Sequence, residues 1–246
     1  MIPKIIHYCW FGGGDLPEKD KNNIEQWKKM CPDFEIKRWD ESNYDVKKNN
    51  YMYQAYCNKK LGFVPDYARL DIIYEYGGFY FDTDVEIVKN LDVLVNEKCV
   101  MGFESEKQIN HGHGFAAEPH NETIKSLRDT YDSLSFVKDD GSLNLIASPK
   151  YISDFMRERG VIMNNKEQRV GDVLVLPTEY FCPKNIFTGK VLKTSKTISI
   201  HHFNMSWMDD VELEKMAKIK RLSKYIGKTF AYNIIEFQYN AKEKGL

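Results

Sequence analysis

Residues 65–84 constrain the fold of this chain more than any other segment. Their sequence is PDYARLDIIYEYGGFYFDTD, in which the proline suits the first turn of a helix and the two glycines suit its end. The apolar residues 79–81 predict a short buried strand, and this strand leads directly into an Asp-Thr-Asp tripeptide. A helix, a tight turn and a buried strand in succession are typical of α/β proteins.

The same alternation of strands and helices continues through the chain. Hydrophobic patterns predict strands at residues 4–8, 34–39, 79–81, 85–88, 100–103, 173–176 and 197–203, and helices at residues 22–30, 51–60, 65–76, 122–134 and 151–159. This order predicts a mostly parallel sheet that is covered by helices on both faces. Because the sequence contains no linker or repeat, we expect one domain over residues 1–246, with a helical segment at about 211–241.

Composition narrows the class of protein. The chain has 246 residues, with 35 Lys and Arg against 36 Asp and Glu, so no net field favours a nucleic-acid partner. Its five cysteines are widely spaced without a C-x-x-C pair, which predicts reduced thiols rather than disulfides or a zinc site. No apolar run is long enough to span a bilayer, and the N-terminus lacks the apolar region of a signal peptide. We therefore expect a folded, cytoplasmic protein.

Asp82 and Asp84 form the one D-x-D motif of the sequence. In extended chain, side chains at positions i and i+2 point to the same side, so both carboxylates can face one point. Hard oxygen ligands of this kind suit Mg²⁺ or Mn²⁺, which take further ligands from water and phosphate. The motif follows the C-terminal end of a predicted buried strand, where open α/β sheets bind ligands. The sequence therefore predicts a metal–diphosphate site here.

Three segments, in the order IPKIIHYCWFGGGDLP, VPDYARLDIIYEYGGFYFDTDVEIVKNLDVL and IHHFNMSW, resemble glycosyltransferase family 32, the sugar-transferase family that carries a D-x-D motif. Similar segments occur in the glucosyltransferase domains of large clostridial toxins. The resemblance implies a GT-A (Rossmann-like) fold that binds a nucleotide sugar. It also implies a divalent metal, Mn²⁺ or Mg²⁺, and retention of the anomeric configuration.

The resemblance also assigns roles to individual residues. Those implied to act in catalysis are Asp66, Arg69, Asp82 and Asp84. Those implied to bind the donor are Tyr8, Trp10, Asp66, Arg69, Tyr80, Asp82, Thr83, Ser206 and Trp207. In this reading Trp10 stacks on the donor base, and the Asp66–Arg69 pair contacts the transferred sugar and the diphosphate. We interpret His7 as structural.

A late histidine or asparagine completes the predicted metal site. Alternation in residues 197–203 puts Ser199 and His201 on the face opposite Ile198 and Ile200, which favours His201 as the ligand. His202 and Asn204 are the alternatives. The glycine-rich segment 102–122 corresponds to a region that faces the acceptor in the family, and its candidates for acceptor binding are Glu104, His111 and His113.

Similarity to bacterial members of the family favours transfer of a hexose from UDP-galactose or UDP-glucose. The acceptor implied is a saccharide or a lipid-linked oligosaccharide in the synthesis of a capsular or other surface polysaccharide. Residues 215–230 alternate basic and apolar positions, which predicts either packing against the domain or peripheral binding at the inner face of the membrane. Two other readings of the chain are a haloacid dehalogenase-like phosphatase, which also uses a D-x-D after a strand, and a non-catalytic nucleotide-sugar-binding module.

Overall fold

The computed structural model of the chain describes residues 1–204 together with Glu214, residues 217–219 and Arg221. Its strands are β1 (Ile5–Cys9), β2 (Glu35–Trp39), β3 (Gly78–Tyr80), β4 (Val85–Ile87), β5 (Cys99–Phe103), β6 (Ile109–Asn110), β7 (Phe115–Ala117), β8 (Gln168–Val170), β9 (Val173–Leu176) and β10 (Ser199–His201). Its helices are α1 (Glu18–Met30), α2 (Asn50–Cys57), α3 (Pro65–Tyr76), α4 (Glu122–Asp129), α5 (Ser148–Glu158) and α6 (Thr178–Phe181). Short 3₁₀ turns occur at Val46–Lys48, Leu61–Phe63, Leu91–Leu94 and Thr130–Ser133.

Eight of these strands form the central sheet, in the order β2-β1-β3-β7-β5-β9-β8, with β6 paired to β5. The parallel and antiparallel pairings place β2, β1, β3, β5 and β9 in one direction, while β6, β7 and β8 run the other way. The α/β fold predicted from the sequence is thus confirmed as a mixed sheet with most strands aligned.

Hydrophobic clusters cover both faces of the sheet. One cluster contains buried residues of α2, α3, α4 and α5, and the other contains buried residues of α1 and α6. Strand β3 serves both, because Phe79 belongs to one cluster and Tyr80 to the other. Because side chains alternate between the two faces of a strand, Phe79 and Tyr80 pack on opposite faces of the sheet.

The turn between α3 and β3 requires its glycines. Gly77 and Gly78 have φ of +64° and +97°, in the left-handed region that residues with a Cβ rarely occupy. A Cβ at Gly78 would also lie 2.7 Å from the carbonyl oxygen of Ile5. The tight turn places the buried strand directly against β1 and carries the chain to the Asp-Thr-Asp tripeptide.

A second, two-stranded sheet joins the tripeptide to the end of the described chain. Strand β10 pairs antiparallel with β4, and His201 lies opposite Val85. One residue further on, the backbone N–H of His202 donates to the carbonyl oxygen of Asp84 at 3.0 Å. The late segment, residues 199–204, thus lies next to Asp84.

Several boundaries differ from those predicted. The first helix begins at Glu18, directly after Pro17, rather than at residue 22. The predicted helix 122–134 ends at Asp129 and continues as a 3₁₀ turn, and the predicted strand 197–203 is shortened to Ser199–His201. The elements β6, β7, β8 and α6 were not predicted, because segments of two to four residues carry too few positions to show a period.

The predicted segment 211–241 lies outside the described residues, apart from the five positions given above, which are helical. Within the part of the chain that is described, no helix has the length and apolar character needed to cross a bilayer.

Candidate functional site

A buried ion pair on α3 forms one wall of the site. Asp66 and Arg69, one helical turn apart, are hydrogen-bonded to each other, and both are almost fully buried. Arg69 Nε also donates to the carbonyl oxygen of Pro65 at 3.2 Å, and its Nη2 lies 3.4 Å from the hydroxyl of Ser148 at the start of α5. These contacts hold the guanidinium in one orientation.

Asp82 lies just beyond β3, next to this pair. The hydroxyl of Tyr80 donates to Asp82 Oδ1 at 3.0 Å, and Arg69 Nη1 lies 3.7 Å from Asp82 Oδ2. The backbone N–H of Asp82 donates to the carbonyl oxygen of Gly112 at 2.8 Å. Because 36% of the Asp82 side chain remains exposed, its carboxylate stays accessible to a ligand.

Asp84 is more deeply buried and is held by the late segment. Its Oδ1 lies 3.3 Å from His201 Nε2, and its Oδ2 accepts the backbone N–H of Asn204 at 2.8 Å. Burial alone would raise the pKa of Asp84, but the His201 charge and the Asn204 hydrogen bond lower it to about 2. The same partnership raises the pKa of His201 against the effect of burial. Asp84 is thus ionised.

Side chains of helix α1 hold the Asp-Thr-Asp tripeptide by hydrogen bonds. Asp20 Oδ2 accepts from the hydroxyl of Thr83 at 2.7 Å, and Asn23 Nδ2 donates to the carbonyl oxygen of Thr83 at 2.9 Å. Asp20 Oδ1 accepts from Asn204 Nδ2 at 3.3 Å. The middle residue of the motif is therefore fixed by two side chains of one helix.

The segment between β5 and β7 closes the opposite side. Glu104 hydrogen-bonds to the side chain of Asn110, and burial raises the pKa of its carboxyl group. His111 packs on Phe115, with 4.7 Å between ring centroids, and burial lowers the pKa of its imidazole. Its Nε2 has no hydrogen-bond partner among the described residues. His113 is stacked on Phe181 and is also buried and neutral, with a pKa lowered to about 3.

Trp10 lies at the end of β1, at the start of the glycine-rich loop. Its side chain is half-buried, and Nε1 donates to the carbonyl oxygen of Gly14 at 2.7 Å. Trp10 is therefore not a core residue, in contrast to Trp27, which is fully buried. Tyr8 packs edge-on against Trp27 at 5.9 Å between centroids and belongs to the core. The geometry leaves the Trp10 indole, and not the Tyr8 ring, available to a ligand.

His7 is a structural residue, as the sequence analysis expected. It is fully buried, with Nε2 2.9 Å from the carbonyl oxygen of Gly77 and Nδ1 accepting from Trp39 Nε1 at 3.0 Å. Since Trp39 can only donate, His7 carries its proton on Nε2 and is neutral. Burial lowers its pKa to about 4.

The carboxylates fit a divalent cation that takes part of its coordination from a substrate. Among the described residues, no group of three or more His, Cys, Asp and Glu side chains could hold a metal alone, so Asp82, Asp84 and His201 do not form a ready three-ligand cluster. One or two carboxylates that share the ion with phosphate oxygens and water are the usual arrangement for Mg²⁺. The hard oxygen donors of Asp82 and Asp84, one of them accessible, match that arrangement.

The structure thus brings most of the predicted site residues together around one point. Contacts within this cluster join Asp66, Arg69, Tyr80, Asp82, Thr83, Asp84, His201, Asn204 and the backbone of His202. His202 turns away, pairing with Glu86 at 3.1 Å. The predicted donor-binding residues Ser206 and Trp207 lie outside the described residues.

Asp20, Asn23 and Gly112 contact the motif but were not singled out from the sequence. Asp20 and Asn23 stand in a polar helix where acidic and amide residues are ordinary. Only the burial of Asp20 and the hydrogen bond of Asn23 to the Thr83 carbonyl oxygen distinguish them. His111 and His113 were predicted to bind the acceptor, whereas Gly112 between them is the residue that contacts Asp82.

Residues 17–101 match the family described as glycosyltransferase sugar-binding region containing DXD motif. This segment is therefore similar to the sugar-binding region of glycosyltransferases that contain a D-x-D motif. The segment includes α1, the Asp66–Arg69 pair and the whole Asp-Thr-Asp tripeptide, which are three of the parts that form the site.

Two curated relatives from Schizosaccharomyces pombe are similar to parts of this chain. Inositol phosphoceramide mannosyltransferase 1 is 30% identical over 128 residues, which are 48% of this chain and 39% of that protein. Inositol phosphoceramide mannosyltransferase 3 is 34% identical over 102 residues, which are 39% of this chain and 28% of that protein. The matched part thus spans less than half the length of either relative.

A solved structure, the PaToxG glycosyltransferase, superposes with a TM-score of 0.53 and 19% identity, covering 64% of this chain and 69% of that one. At this identity the likeness establishes the fold. The chain therefore has a GT-A fold, as the resemblance of its sequence implied.

Proposed function

We propose that the chain is a metal-dependent glycosyltransferase that moves a hexose from a nucleotide sugar to a saccharide acceptor. The observation that carries this proposal is the convergence of the buried Asp66–Arg69 pair with Asp82 and Asp84 at the end of β3. An oriented guanidinium beside two carboxylates suits a diphosphate that arrives with a cation.

Asp82 and Asp84 would hold Mn²⁺ or Mg²⁺. A bound ion of this kind supplies Lewis-acid stabilisation of the charge that develops on the leaving diphosphate. Arg69 adds a fixed positive charge on the same side, and Asp66 both orients Arg69 and offers an acceptor for sugar hydroxyls. Trp10 presents an open indole face for the base. His201 stabilises the ionised form of Asp84.

We expect transfer with retention of the anomeric configuration. In this scheme the acceptor attacks on the face that the diphosphate leaves, and the leaving phosphate takes the acceptor proton. Glu104, His111 and His113 would line the acceptor side. Since the pKa of each imidazole is lowered by burial, the two histidines would act as neutral hydrogen-bonding groups.

Two classes of nucleotide sugar compete as the proposed donor. Similarity to bacterial family members favours UDP-galactose or UDP-glucose, whereas both relatives from Schizosaccharomyces pombe are named as mannosyltransferases. GDP-mannose is therefore the competing donor. By similarity to the bacterial family members, we also propose that the enzyme acts in capsular or other surface polysaccharide synthesis, on a lipid-linked acceptor.

A thermal-shift screen tests the proposed function. UDP-glucose, UDP-galactose and GDP-mannose are each added with Mn²⁺ or with EDTA, because a ligand at 100 times its dissociation constant adds about 2.7 kcal/mol to the stability. We expect one nucleotide class to raise Tm with Mn²⁺ and not with EDTA, and slow release of free sugar from that donor by mass spectrometry. No shift with any donor, or rapid hydrolysis of an aryl phosphate, would contradict the proposal and favour the binding-module or phosphatase reading.

Peripheral membrane association is a separate proposal. It rests on the basic and apolar pattern of residues 215–230, most of which lie outside the described residues. Salt-sensitive co-sedimentation with anionic liposomes, weakened in Lys218→Glu with Lys220→Glu, is the expected result. Equal recovery of both proteins in the unbound fraction at low salt would reject it.

A further inference from the structure

We propose that Asp20 is a positioning residue that fastens the turn at residues 202–204 to the Asp-Thr-Asp tripeptide and so sets the geometry of the cation site. This inference rests on the proposed function. Asp20 belongs to α1. It lies 63 positions before Thr83 and 184 positions before Asn204 in the sequence. It therefore joins three distant parts of the chain.

Both oxygens of Asp20 are engaged by protein side chains. Oδ2 accepts from the Thr83 hydroxyl at 2.7 Å and Oδ1 from Asn204 Nδ2 at 3.3 Å. The residue is 5% exposed, and a carboxylate this buried is retained only with such partners. Because its oxygens already serve the protein, Asp20 acts on the site through Thr83 and Asn204 rather than as a ligand.

Asn204 is held at two atoms by two different carboxylates. Its backbone N–H donates to Asp84 Oδ2 at 2.8 Å, while its side chain donates to Asp20. The N–H of His202 adds a third bond, to the carbonyl oxygen of Asp84 at 3.0 Å. The turn is thus fixed to the second carboxylate of the motif, and Asp20 secures it from the opposite side.

The backbone between these bonds is strained. Phe203 has φ of +57°, in the left-handed region, which costs a residue with a Cβ roughly 1–2 kcal/mol. Its ring packs on His201 at 4.2 Å between centroids. Such a conformation persists where the surroundings over-determine it, and the hydrogen bonds of His202 and Asn204 flank the strained residue directly.

Loss of the Asp20 carboxylate should therefore release the turn. Thr83 would lose the partner that orients it between the two aspartates, and Asn204 would keep only its bond to Asp84. Groups that orient metal ligands typically change affinity or activity by about 10- to 100-fold when removed.

The test compares Asp20→Ala, Asp20→Asn, Asn204→Ala and the double variant Asp20→Ala with Asn204→Ala, in the full chain. Asn at position 20 can accept from Thr83 and donate to a rotated Asn204 amide, so it can keep both bonds without the charge. Glu25→Ala is the matched control, because Glu25 lies on the same helix and pairs with Lys28 in an exposed salt bridge.

Two measurements are made on each protein. Binding of Mn²⁺, alone and with UDP or GDP, is followed by electron paramagnetic resonance, and amide hydrogen exchange of peptides that include residues 201–204 is followed without metal. We expect Asp20→Ala to weaken Mn²⁺ binding about 10- to 100-fold and to speed exchange at the turn. Asp20→Asn should retain most of both properties, the double variant should lose no more than Asp20→Ala alone, and Glu25→Ala should match the wild type.

The outcomes separate the two proposals. Wild-type protein that binds no Mn²⁺, either alone or with UDP or GDP, rejects the metal-dependent function itself. Wild type that binds Mn²⁺ while Asp20→Ala binds it equally well, or exchanges at the turn at the wild-type rate, overturns the role of Asp20. Asp20→Asn as defective as Asp20→Ala also overturns it, since that result means the charge matters and the hydrogen bonds do not.

Discussion

Gly112 and Asp82 are so close that a side chain at position 112 has no room. A Cβ there would lie less than 3.0 Å from Asp82 Oδ2, and the carbonyl oxygen of Gly112 already accepts the backbone N–H of Asp82. Gly112 therefore helps to keep Asp82, the first aspartate of the motif, in place, as does the hydrogen bond from the Tyr80 hydroxyl.

Gly112→Ala should displace the Asp82 carboxylate while leaving the fold intact, because the clash is with a side chain at the edge of the site. Misplacement of a reacting group by about 1 Å can cost on the order of 100-fold in rate, and we expect a fall in kcat of that size. Gly171→Ala is the control. Its φ of +59° makes it mildly destabilising, but no described atom lies within 4 Å of a Cβ at this position in the turn between β8 and β9. Equal kcat in the two variants would show that the position of Asp82 does not matter.

Arg69→Ala should cost stability as well as activity. It leaves the Asp66 carboxylate buried without its partner, and breaking a buried pair in this way costs about 3–5 kcal/mol. The double variant Asp66→Asn with Arg69→Ala should recover part of the unfolding free energy and none of the activity. Urea denaturation checks this. A fully stable Arg69→Ala protein would show that the pair is not buried in solution.

Trp10→Ala should raise the donor KM by roughly 5- to 150-fold, since stacking of a base on an aromatic ring contributes about 1–3 kcal/mol. The free energy of unfolding should change little, because Trp10 is half-exposed. Trp27→Ala is the contrast: that indole is fully buried and donates to the carbonyl oxygen of Val85 at 2.8 Å, so its loss should cost about 3–5 kcal/mol. A Trp10→Ala protein that melts as early as Trp27→Ala would place Trp10 in the core.

His7 should make the protein less stable in mild acid. Burial lowers its pKa to about 4 in the folded state, below its ordinary value, so the unfolded chain binds the proton more readily. The contribution of neutral His7 to the free energy of unfolding is fully present above about pH 6.5 and is lost as the pH falls towards 4. The loss amounts to about 2 kcal/mol at pH 5.

Urea denaturation at about pH 7 and about pH 5 measures that loss. His7→Gln, which does not titrate, should be less stable at neutral pH because it cannot reproduce both bonds to Gly77 and Trp39. Its stability should nevertheless change less between the two pH values than that of the wild type. Identical pH dependence in both proteins would show that His7 does not titrate on unfolding.

The parts of the site that the sequence predicted are those that lie close together along the chain. Helix Pro65–Tyr76 was predicted residue for residue, because its proline, its glycines and its apolar residues are all local signals. The Asp66–Arg69 pair and the Asp-Thr-Asp motif follow from that same stretch.

The parts that were missed depend on long-range contacts. Nothing near Asp20 in the sequence indicates that its carboxylate meets Asn204, 184 positions later. Likewise β7 has three residues, and its insertion between β3 and β5 is decided by pairing rather than by any periodicity of its own. Contacts of this kind come from the packing of the whole sheet, which local patterns do not encode.

The central claim is that Asp82 and Asp84 hold a cation that carries the donor diphosphate. Isothermal titration of UDP and of GDP into the protein, with Mn²⁺ and with EDTA, tests it most directly, with Asp82→Asn as the paired variant. We predict that one nucleotide binds at least about 10- to 100-fold more tightly with Mn²⁺, and that Asp82→Asn loses this gain at an unchanged Tm. Equal affinity with Mn²⁺ and with EDTA, or an undiminished gain in Asp82→Asn, would contradict the claim.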